Sequence, residues 1–239
     1  MLSHLKLKDI LFLDIETVPQ YRSYNDMPEK WQKLWDKKAF RLKQNEEDTP
    51  ETIYEKAGIY AEFGKIICIS VGFVSYKEGK HHLRVTSYSG DDEKALLIAF
   101  FELLNGYYHK SESLLCGHNA KEFDFPYIAR RGLIHGLKLP KILHIAGKKP
   151  WEVKHIDTME LWKFGDYKSY TSLDLLTAVF DIPTPKDDID GSMVGKVYWE
   201  ENNLERIVEY CQKDVVALVQ LFLRFKGENL IEDKHIEFV

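Results

Sequence analysis

The hydrophobic pattern of this chain consists of short apolar runs separated by longer stretches with helical periodicity. The short runs are rich in β-branched residues and end at turn-forming residues, which predicts strands. They lie at residues 9–16, 65–75, 82–89, 114–117 and 153–157. The run 65–75 (KIICISVGFVS) carries the strongest strand signal, and the alternation in 82–89 suits its hairpin partner.

The longer stretches have apolar residues at helical spacing, and acidic residues mark the start of the first of them. They lie at residues 91–104, 122–131, 172–180 and 204–225. In the last one, the stripe predicted to be buried consists of Ile207, Cys211, Val215, Leu218 and Phe222. A strand followed closely by a helix, as in 114–131, is typical of a parallel α/β step.

Residues 20–62 differ from the rest because they are rich in charge and carry Trp31 and Trp35 at helical spacing. This pattern predicts one or two amphipathic helices inserted after the first strand. The tryptophans could clamp a substrate, but we expect core packing, which is the more frequent use of tryptophans at this spacing. The order of elements predicts an α/β fold in which a mixed β-sheet is covered by helices on both faces. We expect a single domain over 1–239.

The composition adds few constraints. Apolar residues make up 44% of the 239 positions, which allows a sizeable core, and the net charge of -5 does not suggest a protein that simply coats nucleic acid. Cys68, Cys116 and Cys211 lack zinc-ligand spacing, so we expect buried free thiols in a reducing compartment. The apolar run 10–13 is too short for a signal sequence or a membrane span. We therefore expect a soluble cytoplasmic protein with no membrane partner.

Carboxylates lie in or beside the apolar runs, where burial is costly unless a cation pairs with them. Asp14 and Glu16 are two apart on a strand and share one face, and Tyr210 and Asp214 are four apart on a helix. Asp124 falls in the first turn of a helix that follows a strand, where ligands of α/β sheets gather. Each has an ordinary alternative: a strand end in solvent, a surface Tyr–Asp hydrogen bond, and an acid at a helix start. Few lysines or arginines lie nearby, so divalent metal ions are the natural partners.

Taken in order, these residues resemble the motifs of the DEDD superfamily of 3'-5' exonucleases, which have an RNase H-like fold. "LDIET" at 13–17 resembles the first motif, "HNAKEFDFPYIARR" at 118–131 the second, and "YCQKD" at 210–214 the third. The Tyr-x3-Asp form of the third motif marks the DEDDy branch. The closest resemblance is to stand-alone relatives of the proofreading domain of family B DNA polymerases. It extends through 61–73, 156–162 and "PKDDIDG" at 185–191.

The resemblance implies catalysis by two divalent cations, Mg²⁺ or Mn²⁺, that bridge the scissile phosphate. Asp14 would bridge both ions, and Glu16 and Asp214 would complete the first. Asp124 would support the second ion through water. Tyr210 would orient the attacking water.

The resemblance also implies substrate contacts. Asn119 and Phe123 would face the terminal nucleotide, Phe123 by stacking, and Thr17 would contact the 3' end. The predicted activity is hydrolysis at the 3' end of DNA that is single-stranded or frayed, alongside unidentified replication or repair proteins. Two alternatives stay open: a 3'-5' exoribonuclease, since nothing in the sequence shows what senses a 2'-hydroxyl, and a non-catalytic nucleic-acid-binding accessory module.

Other residues carry weaker signals. Asp157 could be a fifth nearby acid, but we expect it to cap the next helix. His118 could be a base, although a structural turn histidine is the safer interpretation, and we expect Lys186 to lie on the surface. Residues 121–154 hold eight basic side chains against three acidic ones. This stretch either follows the phosphate backbone or is a solvated loop.

Overall fold

The computed structural model describes residues 2–166, 170–183 and 189–239. The strands are β1 (Ile10–Pro19), β2 (Gly64–Lys77), β3 (Lys80–Ser89), β4 (Leu114–Gly117), β5 (Ile156–Asp157) and β6 (Ile236–Phe238). They form one sheet with the order β5-β4-β1-β2-β3-β6. The β1–β2 and β2–β3 pairs are antiparallel and the other pairs are parallel, so the sheet is mixed as predicted.

Helices cover both faces of this sheet. They are α1 (Glu29–Leu42), α2 (Glu93–Tyr107), α3 (Asp124–Ile134), α4 (Thr158–Lys163), α5 (Leu173–Val179), α6 (Val194–Trp199) and α7 (Leu204–Lys226). The period-two alternation of β1 divides its side chains between two cores. Leu11 and Leu13 pack on the side of α2 and α3, whereas Ile10 and Phe12 pack against α7. Asp14 and Glu16 continue the second series and therefore face α7.

Helix α7 has the buried stripe that the sequence predicts, because all five of its members are buried. The side chain of Asn203 accepts a hydrogen bond from the backbone N–H of Arg206 at 3.1 Å and caps the start of the helix. Gly227 ends it in the left-handed conformation with φ 76°. The helix packs across β1, β2 and β3, which places its Tyr210-to-Asp214 turn beside the end of β1.

Several predicted boundaries were wrong. The first strand continues beyond Glu16 to Pro19 because its pairing with β2 extends that far, and Asp9 lies in a 3-10 turn before it. The predicted strand 153–157 is reduced to β5. The helix predicted from residue 122 begins at Asp124, since residues 119–123 form a hydrogen-bonded turn. Strand β6 and helix α6 were not predicted, because three and six residues show no clear period.

Strand β2 has a bulge where it passes the end of β1. Glu16 pairs with Cys68 and the next residue, Thr17, pairs with Ile66, so Ile67 is an extra residue in β2. Ile67 packs with α6 and α7 residues, while Ile66 packs in the opposite core. Because of the bulge, Ile67 and Cys68 lie on the same face of the sheet, which is the face that carries Asp14 and Glu16 of β1.

The segment between β1 and β2 is helical, as predicted, and it has an aromatic core of its own. It contains α1 and a 3-10 helix at Tyr54–Ile59. Trp35 is fully buried there, with its Nε1 donating to the carbonyl of Pro50 at 2.8 Å, and its ring contacts Tyr54 and Phe63. The packing interpretation of Trp35 is confirmed. We call this set (Met27, Trp35, Ala39, Ile53, Tyr54 and Ala57, with partly buried aromatic neighbours) the insertion core.

A buried ion-pair network joins three elements on the opposite side of the sheet from α7. Glu93, at the start of α2, accepts from Arg131 Nε at 2.8 Å, from His135 Nε2 at 2.6 Å and from the backbone N–H of Ile66 at 2.7 Å. Arg131 also donates to the carbonyl of Ala61 at 2.8 Å. The network thereby connects α2, α3 and the start of β2.

The three cysteines are buried free thiols, as predicted. Within the described ranges, no helix combines the length and apolar character that a membrane crossing requires.

Candidate active site

Asp14 and Glu16 lie together on the α7 face of β1. The thiol of Cys211, in the first turns of α7, lies 3.5 Å from Asp14 Oδ2 and 3.5 Å from the Asp14 carbonyl oxygen. Ligand atoms of Asp14, Glu16 and Cys211 all lie within 4.8 Å of one another. The sequence pattern predicted Cys211 only as a member of the buried stripe of α7. Its contact with Asp14 depends on how α7 crosses the sheet.

Asp124 reaches this cluster from a different element. It is the first residue of α3 and is buried, and the nearby backbone N–H of Ile15 on β1 acts to lower the pKa of its carboxyl against the effect of burial. Its charge acts on both Asp14 and Glu16. The second predicted motif therefore lies next to the first, at the end of the sheet where the neighbouring strands β1 and β4 run parallel.

Tyr210 and Asp214 share one face of α7 and both are half-buried. The Tyr210 hydroxyl is hydrogen-bonded to Asp214, and Asp214 acts electrostatically on both Asp14 and Glu16. Burial raises the pKa of Tyr210 well above its usual value, and the nearby carboxylates raise it further. The phenol is therefore protonated at neutral pH and can donate a hydrogen bond, but it cannot act as a base.

Burial and mutual repulsion disfavour the ionised forms of the carboxyl groups in this cluster. Burial is the largest cause that raises the pKa of Asp14 and of Glu16 well above the usual values, and the charges of the other acids add to it. Burial also raises the pKa of Asp124 to about 7. Among the described residues, no lysine or arginine forms an ion pair with these three acids. An oxygen-rich donor set without a protein counter-charge fits a divalent cation.

These shifts predict how stability depends on pH without metal. A carboxyl whose pKa rises on folding contributes its full stabilisation at a pH below its pKa in the unfolded chain, which is 3.8 for Asp124. That contribution is lost as the pH rises through its pKa in the folded protein, which is about 7. We expect thermal unfolding in EDTA to occur at lower temperature near pH 8 than near pH 6, and Mn²⁺ to reverse the loss. Asp124→Asn should flatten the EDTA profile. An unchanged slope in that variant would contradict the assignment.

The turn from Asn119 to Phe123 is held by Asp157. The carboxylate of Asp157 accepts from the backbone N–H of Asn119 at 2.9 Å and of Lys121 at 3.0 Å, and it also caps α4. The capping interpretation of Asp157 is confirmed, and its hold on the preceding turn is a further structural role. Asn119 has φ 59°, a conformation that asparagine tolerates. Its Oδ1 atom is buried and has no hydrogen-bond partner within the described part of the chain.

A cleft of about 1120 Å³ reaches the acidic cluster at Glu16. We call it the β1–α6 cleft. Glu16, Thr17 and Phe123 line its inner end. The insertion forms one wall through residues such as Lys56, and α6 forms the other through residues such as Lys196 and Trp199. The structure thus brings the predicted substrate residues Thr17 and Phe123 into one space, and Asn119 lies in the turn that leads to Phe123.

The weaker candidates have structural roles. His118 contacts Thr158 Oγ1 and the Thr171 carbonyl, both at 2.8 Å, and burial lowers its pKa, which supports the turn-histidine interpretation. In the basic stretch 121–154, Lys121 pairs with Glu160 at 2.7 Å and Arg131 is buried in its network. Lys186, with residues 185–188 of the motif "PKDDIDG", lies outside the described residues.

The fold is a mixed α/β sheet covered by helices, and carboxylates from β1, α3 and α7 lie close together on it. A family model described as a predicted 3'-5' exonuclease related to the exonuclease domain of PolB matches residues 59–235. The chain belongs to this family, and membership implies nucleic-acid binding. The matched range contains Asn119, Phe123, Asp124, Tyr210 and Asp214 but begins after Asp14, Glu16 and Thr17. Exonuclease domains of this kind generally use divalent metals, for which the acidic cluster offers ligands.

The fold is that of the exonuclease region of a polymerase. The family B DNA polymerase from the hyperthermophilic archaeon Pyrobaculum calidifontis is similar over 90% of this chain, with a TM-score of 0.50 and 15% sequence identity. The chain spans only 24% of that polymerase. At this identity the likeness concerns the RNase H-like fold alone.

Proposed function

We propose that this protein, as one exonuclease domain over 1–239, removes nucleotides from the 3' end of single-stranded or frayed DNA. One observation carries the proposal: acids from β1, α3 and α7 act on one another electrostatically, and no lysine or arginine in the described part of the chain forms an ion pair with Asp14, Glu16 or Asp124. Family membership supports the reaction class.

Asp14, Glu16, Asp124 and Asp214 would hold two divalent cations, Mg²⁺ or Mn²⁺. Bound there, such ions lower the pKa of a coordinated water and stabilise charge on the leaving oxygen. The carboxylates are mutually repelling before binding, so part of the binding free energy comes from relief of that repulsion. The oxygen-only set of four favours hard cations.

The remaining residues would act on the water and on the substrate. The protonated phenol of Tyr210 donates its O–H to Asp214, so its oxygen would accept a hydrogen bond from the attacking water and orient it. Thr17 and Phe123 would contact the terminal nucleotide in the β1–α6 cleft, Phe123 by stacking on the base. Asn119 would offer as an acceptor its Oδ1 atom, which has no hydrogen-bond partner among the residues that the structure describes.

The decisive assay uses 5'-labelled single-stranded DNA, the same DNA labelled at its 3' end, and RNA of matched sequence. We expect shortening from the 3' end with Mg²⁺ or Mn²⁺, none in EDTA, and faster digestion of DNA than of RNA. Faster digestion of RNA would replace the DNA assignment with the exoribonuclease. Metal-dependent binding without shortening of either polymer would favour the accessory-module alternative.

Tyr210→Phe tests the role of the phenol. The ring and its packing stay, while the hydroxyl that would orient water is removed. We expect kcat to fall roughly 10–100-fold with little change in DNA affinity, since orientation affects the reaction step. Single-turnover rates and anisotropy titrations separate the two quantities. Wild-type kcat in Tyr210→Phe would remove the phenol from the mechanism.

A further inference from the structure

The wall of the β1–α6 cleft opposite α6 comes from the insertion. We propose that residues 20–62 form a substrate-binding arm, in which Arg22 and Lys56, together with Lys196 of α6, contact phosphates of the nucleotides that precede the 3' end. The proposal rests on the proposed function, and it assigns the insertion a role in holding the strand.

The first support is that Arg22, Lys56 and Lys196 line the cleft and form no ion pair among the described residues. All three line the cleft, Arg22 and Lys56 from the insertion and Lys196 from α6. Across 2–166, 170–183 and 189–239, no carboxylate forms an ion pair with any of them. Lys56 is half-buried, unlike the two exposed cations. Cations that line a cleft without forming an ion pair among the described residues are available to an anionic ligand.

The second support is the mixed character of the cleft. Phe123 and Trp199 both line the cleft and provide aromatic surface, which suits bases of a single strand. Exposed Asp26, Glu55 and Glu200 also line the cleft, so it is not a uniformly positive groove. This arrangement fits a few defined phosphate contacts near the 3' end, and it agrees with the acidic net charge of the chain.

The third support is that hydrogen bonds hold the arm to α3 and join its two ends. Tyr127 of α3 donates to the carbonyl of Gly58 at 2.7 Å. Arg131 of α3 donates to the carbonyl of Ala61 at 2.8 Å, and the Gln20 N–H donates to the Phe63 carbonyl at 2.9 Å, which joins the two ends of the arm. A wall held in this way loses little conformational entropy when a strand binds.

The basic stretch 121–154 is a weaker candidate for the same contacts. Only Phe123 of that stretch lines the cleft, and Lys121 and Arg131 are engaged in ion pairs within the protein. Reversing the charge of the exposed Lys149 therefore provides a direct comparison with Lys56.

The test measures binding in the absence of cleavage. A background of Asp14→Asn with Ca²⁺ is titrated against fluorescent oligothymidylate from about 50 to 200 mM salt. Each phosphate contact to a single strand contributes about 0.7 to the slope of log K against log salt. We expect Lys56→Glu and Lys196→Glu each to reduce the slope by about this amount and to weaken binding roughly three- to tenfold at the lowest salt. Lys56→Gln should give a smaller change of the same sign.

Lys37→Glu is the matched control, because Lys37 is an exposed lysine of the same segment that does not line the cleft. Slopes in Lys56→Glu and Lys196→Glu equal to that of Lys37→Glu would overturn the proposal, as would a change confined to Lys149→Glu. Because binding is measured separately, normal 3'-end shortening with unchanged slopes rejects the arm alone. Changed slopes with no shortening by the wild-type protein reject the exonuclease and keep the arm.

Discussion

Asp14→Asn is expected to reduce nuclease activity by about 1,000-fold or more while leaving the protein folded. The substitution keeps the shape of the side chain but removes the carboxylate that contacts α7 and interacts with all the other acids of the cluster. A bound metal contributes several kcal/mol of transition-state stabilisation, and each 1.4 kcal/mol corresponds to a tenfold rate. Single-turnover digestion of 5'-labelled DNA with saturating Mn²⁺ measures the loss.

The same substitution should stabilise the metal-free protein at neutral pH. Burial and three neighbouring acids raise the pKa of Asp14, so its ionised form opposes folding. A neutral amide should increase the free energy of unfolding on the order of 1 kcal/mol. Glu47→Gln, at an exposed carboxylate of the insertion, is the control and should change neither quantity. A protein that keeps its activity, or loses stability in EDTA, would contradict the assignment of Asp14.

Arg131→Met should lower the free energy of unfolding by about 3–5 kcal/mol, because it leaves Glu93 buried without its main partner. Burial alone would raise the pKa of Glu93, but the hydrogen bonds and charge of Arg131, together with hydrogen bonds from His135 and the Ile66 N–H, outweigh burial and lower it below 4.5. The stability from this pair is therefore present above pH 4.5 and is lost as the pH falls through the lowered value. Urea denaturation at pH 7 measures the effect.

Two comparisons isolate the buried charge as the cause. The exposed pair Lys33–Glu29 on α1 is the control, and Lys33→Met should cost less than about 0.5 kcal/mol. The double variant Glu93→Leu/Arg131→Met should recover part of the loss, since a buried pair is often replaceable by apolar groups. Equal losses in the single and double variants would point to packing as the cause.

The elements with a clear period were predictable from sequence. The stripe of α7 and the run of β2 are determined by neighbours a few residues away, so local pattern is sufficient. The same reasoning predicted the shared faces of Asp14 with Glu16 and of Tyr210 with Asp214. Resemblance to known motifs joined them into one candidate site.

Other features depend on contacts between residues that are far apart in sequence. The local sequence pattern therefore could not predict these features. Arg131 meets Glu93 only because α2 and α3 pack on the same face. Lys56 and Lys196 face one cleft only because the insertion folds back beside α6. The bulge at Ile67 has no glycine or proline to mark it, and it was visible only in the pairing of β1 with β2.

The insertion core bears on how such a protein can diversify. Its buried members come from residues 27–57, and the cores against the two faces of the sheet consist of other residues. Substitutions in this unit can therefore be compensated within it, by neighbours such as Tyr54 and Ala39, without altering the strand that carries Asp14. Descendants of this sequence could remodel one side of the cleft, and with it the choice of polymer, while inheriting an unaltered hydrolytic centre.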